Sequence, residues 1–150
     1  MSAPDDITME HVSPGMEFGE AVYGPLDRED FARYAEASGD TNPIHTDEEY
    51  ARSTGAPSVF AMGMLVAGHL SHAVADWFGG PQHLRRLKVR FTTRVWPGDE
   101  IVCTARVDDV EDGIVKARLE ARRRGRGPDG LDLPGEELSI SGEADIELPE

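Results

Sequence analysis

Between residues 61 and 78, apolar side chains leave hardly any polar face: Ala61, Met64, Leu65, Val66, Ala67, Leu70, Ala73, Val74, Ala75, Trp77 and Phe78. Such a segment predicts a central helix buried on most sides. Gly79-Gly80-Pro81 closes it. After that the hydrophobic period falls to two. Leu87, Val89, Phe91, Thr93 and Val95 alternate with polar residues, as do Ile101 to Val107, Val115 to Ala121 and Leu138 to Ile146. Each run predicts a strand with one apolar face. Pro97-Gly98-Asp99, the hairpin pair Asp112-Gly113 and a Gly/Pro-rich loop over residues 125–135 separate the four runs, which reads as a meander. A weaker strand is expected over Met16 to Tyr23. One apolar helix and one half-apolar antiparallel sheet can bury each other, so the expected class is α+β, with the sheet wrapped around the helix.

Two short helices are expected before the apolar one. Asp27 caps the first, which runs through Ser38 with Phe31, Tyr34 and Ala35 on one face. Thr46-Asp47-Glu48-Glu49 has the form of a capping box and starts the second, which ends near Gly55. Between them lies Gly39-Asp40-Thr41-Asn42-Pro43-Ile44-His45. The residue before proline is pushed toward extended geometry, so this stretch is a non-helical loop. It holds a carboxylate and an imidazole five residues apart, the two side chains best suited to passing a proton near neutral pH. Mere turn chemistry would also use Asp, Asn and Pro here. Asn42 is expected to tie the loop down. Ser58 either bonds the Asp/His pair or a ligand, or serves as an ordinary loop residue.

Composition narrows the function classes. The chain has 150 residues and a net charge of −14, enough for one domain. The charge is uneven: −11 over residues 1–80, +5 over 81–126 and −8 over 127–150. Nucleic acid is a poor partner for so acidic a chain. The run Arg122-Arg123-Arg124-Arg126 is either a phosphate contact or a solvated strand end. No apolar run suggests a membrane helix, and the acidic start lacks the pattern of a signal peptide, so a cytoplasmic location is expected. Residues 1–13 read as a flexible acidic tail and 14–150 as the domain. Cys103 is the only cysteine and reads as a small apolar strand residue. His69 and His72, with Asp76 beyond them, lack a further ligand at metal spacing, so no metal site is expected.

The segment Tyr34 to Asp47, with Gly-Asp-Thr-Asn-Pro-Ile-His at its centre, closely resembles the signature of MaoC-like dehydratases. These include (R)-specific enoyl-CoA hydratases and 3-hydroxyacyl-carrier-protein dehydratases. The resemblance continues through Ala61-Met62-Gly63-Met64-Leu65, Val89-Arg90-Phe91, Trp96-Pro97-Gly98-Asp99 and Ser141-Gly142-Glu143-Ala144, and so covers roughly residues 14 to 148. It implies a single hot-dog domain. It also implies that Asp40 and His45 hold the reacting water and that the Gly63 backbone N–H binds the thioester oxygen. Asn42, Ser58, Met62 and Met64 are the supporting or substrate-binding candidates. Met62 stands where the family often has His, and is expected to enlarge or grease the acyl pocket.

The implied activity is a hydro-lyase that interconverts trans-2-enoyl and (R)-3-hydroxyacyl thioesters. Coenzyme A or the phosphopantetheine of an acyl carrier protein enters as part of the substrate, and no separate cofactor is expected. Which member of the Asp40/His45 pair takes the water's proton stays open, because coupled groups titrate together. A hot-dog thioesterase and a non-catalytic acyl-binding subunit of a heteromeric dehydratase are the alternatives. A homodimer, or a heterodimer with another hot-dog chain, is expected, since a lone sheet would leave an open edge.

Overall fold

The computed structural model describes residues 7–150. Five strands form one antiparallel sheet: β1 (Glu17–Tyr23), β2 (Leu84–Phe91), β3 (Glu100–Glu111), β4 (Ile114–Arg124) and β5 (Glu136–Glu147). Three helices accompany it: α1 (Arg28–Ser38), α2 (Glu48–Ser53) and α3 (Gly63–Trp77). The sheet curls around α3, which is the hot-dog arrangement that the resemblance implies. Val66, Ala67, Leu70, Ala73, Val74 and Trp77 of α3 are buried. They face the inward rows Ile101, Cys103, Ala105 and Val107 of β3, Val115 to Ala121 of β4, and Ile140, Ala144 and Ile146 of β5. Burying one such large apolar side chain is worth about 1.5–3 kcal/mol. No helix among the described residues is long and apolar enough to cross a membrane.

The helix is wrapped on one side rather than all round. Met64, Gly68, His72 and Asp76 recur every fourth residue and form an exposed stripe. Three of these four positions are glycine or polar, which limits the apolar surface left outside.

Strand order corrects the meander. It is β1-β3-β4-β5-β2, so only β3, β4 and β5 run as consecutive neighbours. β2 lies along β5, with Leu87 opposite Ala144 and Phe91 opposite Ile140. The alternation over residues 87–95 stops being strand after Phe91. Thr92 leaves the edge with its N–H and hydroxyl bonded to the Ser139 and Leu138 carbonyls, at 2.8 and 2.7 Å. The 92–99 connection then crosses to β3 instead of folding back. Asp112 and Gly113 close the β3–β4 hairpin with φ of 53° and 78°, as a type I′ turn requires.

The crossing is fixed by a buried ion pair. Arg123 and Asp99 are both fully buried. Arg123 Nε and Nη2 donate to the two Asp99 oxygens at 2.7 and 3.1 Å, and Nη1 reaches Glu137 and the Pro134 carbonyl, each at 2.8 Å. Asp99 also accepts the Trp96 N–H at 2.8 Å. These partners satisfy the guanidinium and hold its proton more firmly than usual, the Asp99 hydrogen bonds outweighing burial. Of the two readings left open for this run, a phosphate contact through Arg123 is ruled out by its burial. Arg123 continues the inward phase of Ala121 and is unreachable, while Arg122 pairs with Glu120 and Arg124 with Glu100.

The expected tail is shorter than thirteen residues. Ile7 and Val12 are buried in the core, and Met9 N–H bonds the Pro149 carbonyl at 2.9 Å. Their apolar side chains find cover beside the last strand. Residues 1–6 of the expected tail lie outside the described residues. The capping box expected over Thr46 to Glu49 gives way to a single cap: Asp47, not Thr46, caps α2 by accepting the Tyr50 N–H.

Removing Asp99 strands a buried cation, which costs about 3–5 kcal/mol. Asp99→Ala is therefore expected to lose that much stability in urea unfolding, whereas Arg33→Ala, at an exposed pair, shifts the midpoint immeasurably.

Candidate active site

The Asp40 loop begins where α1 ends. Gly39 takes φ of 79° as the helix C-cap, a left-handed position that glycine fills at little cost. Asp40 N–H then donates to Ser38 Oγ at 3.1 Å. Asn42 N–H donates to Asp40 Oδ1 at 3.3 Å, and Asn42 Oδ1 accepts the Ile44 N–H at 3.1 Å. Asn42 thus caps the short 3-10 turn Pro43–His45, with proline at its first position. This is the tying role expected for it.

The turn delivers His45 toward the start of α3. His45 Nδ1 lies 2.7 Å from the Phe60 carbonyl oxygen. A carbonyl only accepts, so Nδ1 carries the proton and neutral His45 keeps its lone pair on Nε2. Nε2 lies 3.9 Å from Asp40 Oδ2, and the two side chains are 12% and 43% exposed. That gap exceeds a direct hydrogen bond. A water about 2.8 Å from each atom would subtend roughly 90°, close to its own bond angle, and could donate to both.

Phe60 is itself held firmly. Its ring meets His45 and Trp96 edge-on, at centroid distances of 5.1 and 6.0 Å, and the Arg94 guanidinium lies 4.3 Å above its centroid. The carbonyl that orients His45 therefore sits on an immobilised residue. On the next turn of chain, Ala61 N–H bonds the Val95 carbonyl at 2.9 Å. Met62 caps α3 with extended backbone and no side-chain bond. Its carbonyl already serves Leu65 and Val66. The N–H groups of Gly63 and Met64 lie in the first turn, where helices leave donors free and concentrate positive potential.

A cleft of about 350 Å³ joins these parts. Asp40, Phe60, Met62, Gly63 and Met64 line one side, and Phe91, Thr93, Arg94 and Ser139 the other. Met62 is buried at the cleft wall, while Met64 is 61% exposed at its mouth. A larger groove, about 680 Å³, crosses the outer face of β1, β3 and β4. Its charged lining includes neither Asp40 nor the start of α3, both of which line the smaller cleft, so we place the chemistry there.

Ser58 is not part of this assembly. It is buried, and its hydroxyl donates to Glu48 at 3.3 Å, with Arg28 on the same carboxylate. Burial raises the Glu48 carboxyl, but Ser58 and Arg28 prevail and hold it below its ordinary range. Of the roles left open for Ser58, the bond to the Asp/His pair gives way to a brace between α1, α2 and the loop before α3. His69 stacks on Tyr23 at 5.0 Å and His72 pairs with Asp76 at 3.7 Å, both outside the cleft lining. Burial pushes the Cys103 thiol up to about 12, which leaves it protonated and apolar in role. The Phe60 carbonyl, Phe91, Arg94 and Ser139 were absent from the expected site. A backbone carbonyl leaves no mark in a sequence, and the others join the cleft only through long-range strand placement.

Comparison with known proteins adds an independent line. The sequence profile of the MaoC-like domain matches residues 10–124. The chain is 36% identical over 74 residues to a mitochondrial 3-hydroxyacyl-[acyl-carrier-protein] dehydratase of Arabidopsis thaliana, covering 49% of this chain and 44% of that one. It is 33% identical over 85 residues to the (R)-specific enoyl-CoA hydratase of Rhodospirillum rubrum, covering 55% of this chain and 58% of that one. It also spans 6% of the fatty acid synthase beta subunit pkiC of Emericella nidulans. The matched stretches are thus well under two thirds of these relatives' lengths. Among solved structures, the R-hydratase PhaJ1 of Pseudomonas aeruginosa superposes with a TM-score of 0.79 at 26% identity, over 97% of this chain and 87% of that one.

Nitrogen-15 NMR of the His45 ring is expected to show the Nδ1-protonated tautomer in its neutral form. Protonation on Nε2 would contradict the Phe60 hydrogen bond.

Proposed function

The chain belongs to the MaoC-like domain family, and from that membership we propose that it is a hydro-lyase interconverting trans-2-enoyl and (R)-3-hydroxyacyl thioesters. The observation that carries this reading is the 3.9 Å separation of Asp40 Oδ2 and His45 Nε2, which one bridging water can span, with Asp40 lining the same cleft as the start of α3. Hydration needs three things at once. A water oxygen must bond the β-carbon, a proton must leave that water, and a proton must reach the α-carbon. As the electron pair of the double bond moves toward the thioester, negative charge grows on the carbonyl oxygen.

Each demand has a matching group. Asp40 and His45 accept the water's hydrogens and between them take one proton and return one, a task worth about 10²–10⁴-fold in rate. The Gly63 N–H, at the positive end of the α3 dipole, meets the developing oxyanion; one such donor is worth about 3–4 kcal/mol. Met62 supplies an apolar, pliable wall for the acyl chain. Dehydration runs through the same groups in reverse.

The reaction adds or removes the elements of water with no net oxidation or reduction, so it calls for no redox cofactor, and the proposal includes neither cofactor nor metal. Coenzyme A or phosphopantetheine enters as part of the substrate. The open edge of β2, which pairs with β5 on one side, supports a homodimer or a heterodimer with a second hot-dog chain. A cytoplasmic location belongs to the same proposal.

Wild-type protein is expected to deplete the enoyl absorbance of crotonyl-CoA. Asp40→Asn and His45→Gln should each slow that turnover about 100-fold or more, with unchanged circular dichroism. Near-normal rates in both variants would end the proposal, and thiol release without loss of the enoyl signal would point to a thioesterase.

A further inference from the structure

Gly63 is not glycine because of its backbone. It is absent from the residues with positive φ, and it opens an α-helix where alanine would be preferred. The reason lies across the cleft. A Cβ added at Gly63 would sit 2.8 Å from Phe91 Cε1 and 3.0 Å from both Cδ1 and Cζ. Gly68, further along the same helix, would meet nothing within 4 Å. The Phe91 ring therefore lies directly against the peptide that carries the oxyanion donor.

Phe91 holds this place although it is unfavourably exposed. It is the last residue of β2, in phase with Leu87 and Val89 on the side facing α3, yet 52% of its surface remains open to solvent. Met64, 61% exposed, follows Gly63 directly in the chain. Both side chains line the cleft with Gly63. The free amide thus opens into a slot with one aromatic wall.

We infer that Phe91 is a specificity-determining residue that restricts the site to acyl thioesters unbranched at the α-carbon. The inference rests on the proposed reading for one point, that the thioester oxygen points at the Gly63 N–H. Conjugation keeps an enoyl thioester flat, so a substituent on the α-carbon lies in that plane, beside the carbonyl oxygen or the sulfur. A hydrogen there passes the ring. A methyl group would need the space that already excludes a Cβ from Gly63. Met64, with three side-chain rotors, can yield to a ligand, whereas the planar Phe91 ring, carried on a strand end paired with Ile140, has fewer rotors to turn aside.

Calorimetric binding of two saturated thioesters, butyryl-CoA and 2-methylbutyryl-CoA, tests this without any turnover. Wild-type protein should favour butyryl-CoA by about 10–200-fold, the range that one methyl group commands in a fitted pocket. Phe91→Ala should shrink that preference at least ~10-fold. Gly63→Ala should weaken butyryl-CoA binding, and adding Phe91→Ala to it should restore most of the loss, a coupling expected only of residues in contact. An unchanged preference in Phe91→Ala, absence of rescue in the double variant, or failure of wild-type protein to bind either thioester would overturn the inference. Discrimination by Phe91 in a protein that hydrates no enoyl thioester would overturn the proposed activity and leave the wall standing.

Discussion

Everything in this molecule depends on burying one nearly all-apolar helix without burying its first turn. α3 sinks Val66, Leu70, Val74 and Trp77 into the concave side of the sheet. Its start is pinned from outside, by Ala61 N–H on the Val95 carbonyl and by fully packed Met62. The same packing that drives folding therefore aims two unsatisfied N–H groups and a positive dipole end at an open cleft. A helix end is ordinarily satisfied by a side-chain cap. Here the cap residue is methionine, which offers none.

The second half of the site comes from short-range chemistry. Gly39 ends α1, Asn42 and Pro43 set a tight turn, and His45 emerges with its ring nitrogen on the Phe60 carbonyl. That bond does two jobs. It fixes the tautomer, leaving Nε2 free toward Asp40, and it ties the loop to the residue three before Gly63. Phe60 is in turn clasped by Trp96 and Arg94 from the 92–99 crossing, which the buried Asp99–Arg123 pair anchors. A contiguous set of contacts thus runs from the sheet's charged staple to the water-holding pair.

How much of this could be read beforehand followed the range of the interactions. The Asp27 cap, the loop holding Asp40 and His45 and the Asp112-Gly113 hairpin depend on neighbours a few residues away, and all were legible; the apolar helix was legible too, though its start at Gly63 came from the resemblance. The pairing of β2 with β5 was not, because alternation marks a strand's faces and says nothing of its partner. Arg123 misled for a related reason. Charge patterns assign arginine to solvent, yet its phase matched Ala121, and a carboxylate 24 positions earlier made burial tolerable. Phe91 was expected inside on the same alternation, but the strand ends there and the ring stands at the cleft mouth. Ser58 lay near the site in sequence while its partners, Glu48 and Arg28, drew it elsewhere. Ile7 and Val12 lay in the stretch read as an acidic tail, yet both are buried.

The central claim is that the Gly63 amide and the Asp40–His45 pair act on opposite ends of one conjugated thioester. A crystal structure of Asp40→Asn soaked with crotonyl-CoA tests it most directly. The account predicts the thioester oxygen within hydrogen-bond distance of the Gly63 nitrogen and the β-carbon facing the gap between residue 40 and His45 Nε2. A carbonyl oxygen bound away from Gly63, or a β-carbon turned from that gap, would contradict it.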